Sequence, residues 1–190
     1  MKAKDIFLKS SAISGISLPI LFIGLLIYSI QLAPWFDWTV HAISDLGNPI
    51  FEIFCFNCGL IIIGILMLIF SIGLYFYLGG ERMGPTILAM SSIYFMGIGV
   101  FPITHPNHIH ISGLFFISFP LGFFVLGLQI FRKKCDFICK MGYLAIIIGV
   151  VSLASTSILL FFSGIAIPEV IILVSGFTWC LVFGIYMLFF

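Results

Sequence analysis

The stretch LIIIGILMLIF, residues 60–70, is apolar on every side of any helix or strand that it could form. A helix on the surface of a soluble protein instead keeps a polar face toward water. The rest of the chain is similar, since 62% of its 190 residues are hydrophobic and 8% are charged. A soluble domain carries about 25% charged residues. The composition therefore predicts an integral membrane protein that has the lipid bilayer as its partner.

Six long apolar stretches divide the chain. Each reaches the roughly 20 residues that a spanning α-helix needs, whereas a β-barrel would show short strands that alternate apolar and polar residues. The predicted spans are residues 10–33, 52–79, 85–104, 111–131, 141–163 and 168–190. We therefore predict an all-α, polytopic membrane protein with six transmembrane helices in a single domain, residues 1–190.

The basic residues predict the orientation. They precede the first span, or lie between the second and third or the fourth and fifth spans: Lys2, Lys4, Lys9, Arg82, Arg132, Lys133, Lys134 and Lys140. Six spans put all of them on one side, which the positive-inside rule makes cytoplasmic. Both termini are then cytoplasmic, in a multi-pass protein of the cell membrane. A net charge of +1 without a basic arm gives no basis for nucleic-acid binding.

The opposite, outer side holds the ionisable side chains that could carry chemistry. They are the histidines His41, His105, His108 and His110 and the carboxylates Asp37, Asp45, Glu52 and Glu169. A carboxylate near hydrocarbon needs a partner, water or a proton, and no Lys or Arg is available on this side. These residues form either a functional site or a set of polar loop residues in water.

The first outer loop, residues 34–49, carries polar residues at a helical spacing. They are Asp37, His41, Ser44, Asp45 and Asn48, while Trp35 and Trp38 fall on another face. We expect a short interfacial helix with its tryptophans at the level of the lipid headgroups. The alternative is an amphipathic connector whose polar stripe faces water.

The second outer loop places three histidines, His105, His108 and His110, within six residues. Together with His41 and Asp45 they have the chemistry of ligands for zinc or a similar divalent metal. Their spacing matches no known metal signature such as His-Glu-x-x-His, so this expected metal set depends on co-location alone. No haem or nucleotide is expected, since no histidine lies deep in a span where a haem would need it.

Short motifs, in their order along the chain, resemble one family. They are HAISDLG at residues 41–47, Asn57 in the second span, GVFP at residues 99–102 and a histidine at the start of the fourth span. Over residues 10–190 the chain resembles the family called domain of unknown function 998. The resemblance implies the fold and marks Ser44, Asp45, Asn57, Pro102 and one of His108 or His110 as site residues. It implies no reaction.

Two classes of function fit these observations. The first is a metal-dependent hydrolase or transferase that acts on a lipid or small amphiphile at the outer leaflet. Its catalytic residues would be Asp45, Ser44 and His110, and the histidines with Asp45 would hold a metal that activates water. The second is a non-enzymatic carrier, channel or assembly factor. No ionisable residue lies near the centre of a span, which argues against an ion path.

Asp45 is also expected to act together with a histidine of the second outer loop. Histidine is the only titratable cation on that side of the membrane, and a contact between the two would stabilise both charges. The residues alone leave open whether His108 or His110 is the partner.

Overall fold

Six long α-helices form most of the computed structural model, which describes residues 3–48, 54–133, 136–158 and 165–189. They are α1 (Ala3–Gln31), α2 (Phe54–Leu78), α3 (Met83–Val100), α4 (His108–Ile130), α5 (Asp136–Ile158) and α6 (Ala166–Phe189). A short 3-10 helix, Ile43–Gly47, lies between α1 and α2. The described residues contain no strand, and all six helices are long and apolar enough to span a membrane. The predicted six-helix membrane fold is confirmed.

The helices begin and end where local chemistry requires. α2 ends at Leu78, because Gly79 takes a left-handed conformation with φ of 70° that a side chain would disfavour. α3 ends at Val100, and Phe101 leaves the helical region because a proline follows it. Both ends fall short of the predicted spans, which extended into the flanking loops.

The six helices form a closed ring in chain order. Each helix packs against the next in sequence, and α1 packs against α6 to close the ring. Small residues permit the closest approaches, as transmembrane helices commonly require. A Cβ at Gly127 of α4 would lie 2.7 Å from the carbonyl oxygen of Gly142 in α5.

Aromatic side chains fill the centre of this ring. Phe177 of α6 contacts Phe22 of α1, Phe95 of α3 and Phe119 of α4, with ring centroids 5.6, 6.1 and 5.9 Å away. The column of rings continues with Phe123, Trp179 and Phe183. All of these side chains are at most 2% exposed. The centre of the bundle is therefore packed along the length of this column.

The two ends of the bundle differ in charge. We call the end that carries the four histidines the histidine end, and the opposite end the basic end. The described basic residues all lie at the basic end, where Lys133 pairs with Glu81 at 3.1 Å and Lys140 pairs with Asp136 at 2.6 Å. Lys2 and Lys134 lie outside the described residues. The cytoplasmic position of this end stays a prediction from the positive-inside rule.

Candidate functional site

The loop between α1 and α2 is not the continuous interfacial helix expected from its polar spacing. Residues 34–40 form turns, and only Ile43–Gly47 is helical, as a 3-10 helix. Asp37 explains part of the difference, because its Oδ1 accepts hydrogen bonds from the N–H of Thr39 at 2.7 Å and from the Thr39 hydroxyl at 2.6 Å. Such local bonds compete with helical ones. The Thr39 hydroxyl, followed by the Thr39 N–H, also holds the pKa of the exposed Asp37 carboxyl below its usual value.

The backbone of His41 explains the rest of the difference. In a continuous α-helix the His41 carbonyl would accept the N–H of Asp45. Here it accepts the N–H groups of Ala166 at 3.1 Å and Ile165 at 3.3 Å, which begin α6. The loop therefore caps a distant helix, and the expected single helix was wrong because of this long-range contact.

The ring of His41 packs among aromatic side chains of its own loop. Its centroid lies 5.2 Å from that of Trp35 and 5.8 Å from that of Phe36. The N–H of Asp37 donates to its Nδ1 at 3.0 Å. These contacts hold the ring within the first loop.

Asp45 and Asn57 hold the 3-10 helix in place. Asp45 Oδ2 accepts the N–H of Ala42 at 2.8 Å, which caps the helix start. Asn57 Nδ2 donates to the carbonyl of Gly47 at 2.7 Å, and a Cβ on Gly47 would overlap the Asn57 side-chain oxygen. A Cβ at Gly99 would likewise lie 2.6 Å from the Asn57 carbonyl oxygen. These motif residues therefore join the loop, α2 and α3.

The second loop turns the chain sharply before α4. Pro102 contributes its carbonyl, which accepts the N–H of His105 at 2.7 Å. The ring of His105 packs on Phe101 with centroids 4.7 Å apart, and its Nδ1 accepts the N–H of Asn107 at 3.1 Å. α4 then begins at His108, ahead of the predicted span, which began at residue 111.

The structure separates the two histidines that the sequence could not distinguish. His110 is exposed on the first turn of α4, whereas His108 is only 5% exposed. The Nδ1 of His108 lies 2.8 Å from the carbonyl oxygen of Phe101. A carbonyl can only accept, so this nitrogen carries the proton. In the neutral form of the ring, Nε2 then carries the lone pair, and no described residue donates a hydrogen bond to it.

His108 lines a cavity of about 370 Å³, which we call the His108 cavity. Its other polar walls are Ser44 of the 3-10 helix, Ser112 and Thr156 of α4 and α5, and Glu169 of α6. The apolar walls include Ile109 and Ile117, which are 72% and 56% exposed on the outside of α4. Such a surface faces lipid in a spanning helix. The cavity therefore lies beside the surface that lipid would cover.

A second, narrow space of about 30 Å³ shares several walls with the His108 cavity. The shared residues are Ser44, Ser112, Phe116 and Glu169, and the inner walls include Phe22 and Phe95 of the aromatic column. The polar site therefore ends on the packed centre of the bundle.

Glu169 is the most deeply buried acidic side chain of this site. It is 4% exposed, and its Oε2 accepts the N–H of Ile43 at 2.7 Å. Our reading of the sequence noted Glu169 as an outer carboxylate but did not include it, or Ser112, in the site. The available signal for Glu169 was an ionisable residue at the start of an apolar span, which is a functional suspect by default.

The expected metal set is not brought together. In the described part of the chain, no three His, Cys, Asp or Glu side chains lie close enough to hold a metal ion. His41 is held in the first loop, His105 on Phe101 and Asp45 on Ala42, while His110 points out of the bundle. The described histidines form no direct ion pair with Asp45. A contact between Asp45 and a histidine through a bound cation stays a prediction. Glu52 lies outside the described residues.

Comparisons with known proteins give one family match. The family model described as "Protein of unknown function (DUF998)" matches residues 16–186, which include every candidate residue of the site. No curated protein and no solved structure matches the chain.

Proposed function

This chain belongs to the family of proteins of unknown function DUF998, and we propose that it is a hydrolase or transferase that acts on an amphiphile at the membrane. One observation carries the proposal. A buried histidine with a free Nε2 lone pair lines a cavity of about 370 Å³ together with a buried carboxylate and two serines. A concave, largely apolar pocket with a few convergent polar groups is the usual form of a small-molecule site.

His108 is the general base in this proposal. Its Nε2 takes the proton of a water molecule or of an acceptor hydroxyl as that oxygen attacks the carbonyl carbon of an ester. The ester bond then breaks, and the leaving alkoxide takes the proton back from His108. The carbonyl of Phe101 holds the ring in the orientation and tautomer that this exchange needs.

The other residues bind and position the substrate. Ser112 donates its hydroxyl hydrogen to the carbonyl of His108 at 2.8 Å, so its lone pairs are left for a ligand. Ser44 is carried into the cavity by the 3-10 helix. Asp45 acts indirectly, because it caps that helix through Ala42. This assignment replaces His110 with His108 and makes Asp45 a positioning residue.

No metal takes part in this proposal. Zinc sites in enzymes need three protein ligands around one ion. The described side chains provide no such group. The steps above therefore use the residues of the chain alone.

The orientation in the cell membrane is part of the proposal. The positive-inside rule puts the basic end in the cytoplasm, so the histidine end meets the outer leaflet. The exposed isoleucines of α4 beside the cavity would allow the tail of an amphiphile to remain in lipid while its headgroup enters.

A non-enzymatic carrier or channel is the second candidate. The site ends on the aromatic column, whose members are at most 2% exposed. A closed floor favours a site that binds and converts its ligand over a path through the bundle. A role in assembly needs no ligand, so it would not account for a cavity lined by convergent polar groups.

The test compares two histidines that are two residues apart on α4. Purified protein in lipid nanodiscs is incubated with a panel of labelled acyl esters of amphiphiles, and products are followed over time. His108→Gln should reduce the rate by about 10²–10⁴-fold, the usual contribution of a general base. His110→Gln, on the exposed face, is the matched control and should keep the wild-type rate. Equal rates for wild type and His108→Gln would overturn the proposal.

A further inference from the structure

We infer that the His108 cavity recognises a protonated amine in the headgroup of its amphiphile and that Glu169 is the group that binds it. The inference rests on the proposed function and names the substrate class of the same site. It comes from the charges and hydrogen-bond acceptors that the cavity presents.

Glu169 has an unused binding capacity. Its Oε2 takes the N–H of Ile43, and this is the one hydrogen bond of its carboxylate within the described structure. The side chain is 4% exposed, and what remains open faces the cavities that it lines. A carboxylate removed from water needs compensation for its lost hydration. The Ile43 N–H and the positive start of α6 supply part of it, and a bound cation would supply the rest.

No cation of the protein takes that place in the described structure. The Lys and Arg residues that the structure describes all lie at the basic end. None of the described histidines forms an ion pair with Glu169. Asp45 is a second carboxyl group nearby, since it caps the same 3-10 helix that Glu169 contacts through Ile43. Complementary charge is what makes a site specific for a ligand, so this site favours a positive one.

The remaining polar atoms of the cavity also accept hydrogen bonds. Ser112 has given its hydrogen to the His108 carbonyl, and Nε2 of His108 has a lone pair. A primary ammonium group carries three N–H donors and no acceptor, which matches this set. A bare metal ion fits less well, because no three ligating side chains converge among the residues that the structure describes. A cavity of about 370 Å³ with isoleucine walls fits an organic headgroup with a tail.

The experiment measures binding without any turnover. Protein in a non-ionic detergent is titrated with decylammonium chloride, decyltrimethylammonium chloride or decanol, and its thermal unfolding is followed. We expect decylammonium to bind at least about tenfold more tightly than decanol, as one charge-assisted hydrogen bond would provide. The trimethyl compound should be weaker than decylammonium, because it has no N–H donor.

Variants assign the preference to Glu169. Glu169→Gln should bind decylammonium and decanol within about twofold of each other, and Glu169→Asp serves the same purpose if the first variant does not fold. Glu81→Gln, which removes a carboxylate at the basic end, is the matched control and should keep the preference. His110→Gln, on the exposed face of α4, should keep it too. Because the titration needs no turnover, a protein that keeps the preference but cleaves no ester would contradict the proposed function alone, so the two proposals fail separately. A wild type that binds decanol as well as decylammonium, or a Glu169→Gln that keeps the preference, would overturn the inference.

Discussion

The two ends of the bundle treat charge in opposite ways. At the basic end, carboxylates pair with lysines in water: the side chains of Lys140 and Asp136 are 72% and 80% exposed. At the histidine end, Glu169 is 4% exposed and is paired with no cation of the described residues. Exposed pairs contribute little to stability, whereas a buried carboxylate is costly unless something compensates for it.

This difference separates charges that set topology from charges that serve a site. The positive-inside rule depends on the location of Lys and Arg residues and not on their contacts. Any exposed arrangement of these residues at the basic end therefore satisfies it. At the histidine end, backbone N–H groups donate hydrogen bonds to the carboxylates. The N–H of Ala42 donates to Asp45, and the N–H of Ile43 donates to Glu169. Such specific placement is expected of groups that bind or react.

Chemical labelling tests the comparison most sharply, because its outcome is all or none. In a background without native cysteines, Asn107→Cys at the histidine end should react with an impermeant maleimide added outside intact cells. Arg132→Cys at the basic end should react only after the cells are opened. The reverse pattern would show that the basic end lies outside and would contradict the positive-inside orientation.

A methyl group added at each end should have very different effects on stability. In Gly47→Ala the new Cβ would overlap the side chain of Asn57, whereas in Gly80→Ala it meets nothing within 4 Å. Overpacking typically costs about 1–3 kcal/mol, so Gly47→Ala should lower the free energy of unfolding by that amount. Gly80→Ala should stay within about 0.5 kcal/mol. Unfolding in mixed detergent micelles measures both, and equal effects would contradict the close packing at Gly47.

Removing one carboxylate from each end should show the difference in stability between losing a helix cap and losing an ion pair. Asp45→Ala leaves the N–H of Ala42 without its acceptor, and loss of such a cap typically costs about 1 kcal/mol. Glu81→Gln breaks a partly exposed pair with Lys133, whose contribution is about 0–1 kcal/mol and falls with salt.

The salt dependence of these two variants provides the control. The cost of Asp45→Ala should be nearly the same at low and high ionic strength, since it reflects a local hydrogen bond. The cost of Glu81→Gln should shrink as salt is added. If the cost of Asp45→Ala disappeared in high salt, Asp45 would act through its charge, as the exposed residues of the basic end do, and not as a helix cap.

The fold could be predicted from the sequence because lipid imposes a simple rule. A run such as residues 60–70 has no polar face, so it can only be buried or lie in a bilayer. Helix ends were less predictable: α4 begins at His108 instead of residue 111, and α3 ends at Val100 instead of residue 104 because Phe101 precedes a proline.

The site could be predicted only in part, because its decisive contacts join distant residues. The sequence pointed to the histidine end and included Ser44 and His108, which line the His108 cavity. It could not show that Glu169 would meet the N–H of Ile43, 126 residues away. Nor could it show that the His41 carbonyl would cap α6, which removes the expected helix in the first loop. The spacing of polar residues along the chain does not reveal hydrogen bonds between residues that are distant in sequence.

The smallest expected effect belongs to Asp37, a carboxylate of the histidine end that is exposed, as Asp136 is at the basic end. Its hydrogen bonds with Thr39 lower the pKa of its carboxyl in the folded protein. A lowered pKa means that the ionised form stabilises the fold above the unfolded pKa of about 3.9, and that this contribution is lost as the pH falls through the folded value. The melting temperature of the wild type should therefore exceed that of Asp37→Asn slightly at pH 6, and the difference should shrink as the pH falls below about 4. A difference that grows on acidification would mean that the sign of the shift is wrong. Because the side chain is exposed, the whole effect should remain smaller than that of Asp45→Ala, which would confirm that burial, and not the end of the bundle alone, decides how much a carboxylate matters.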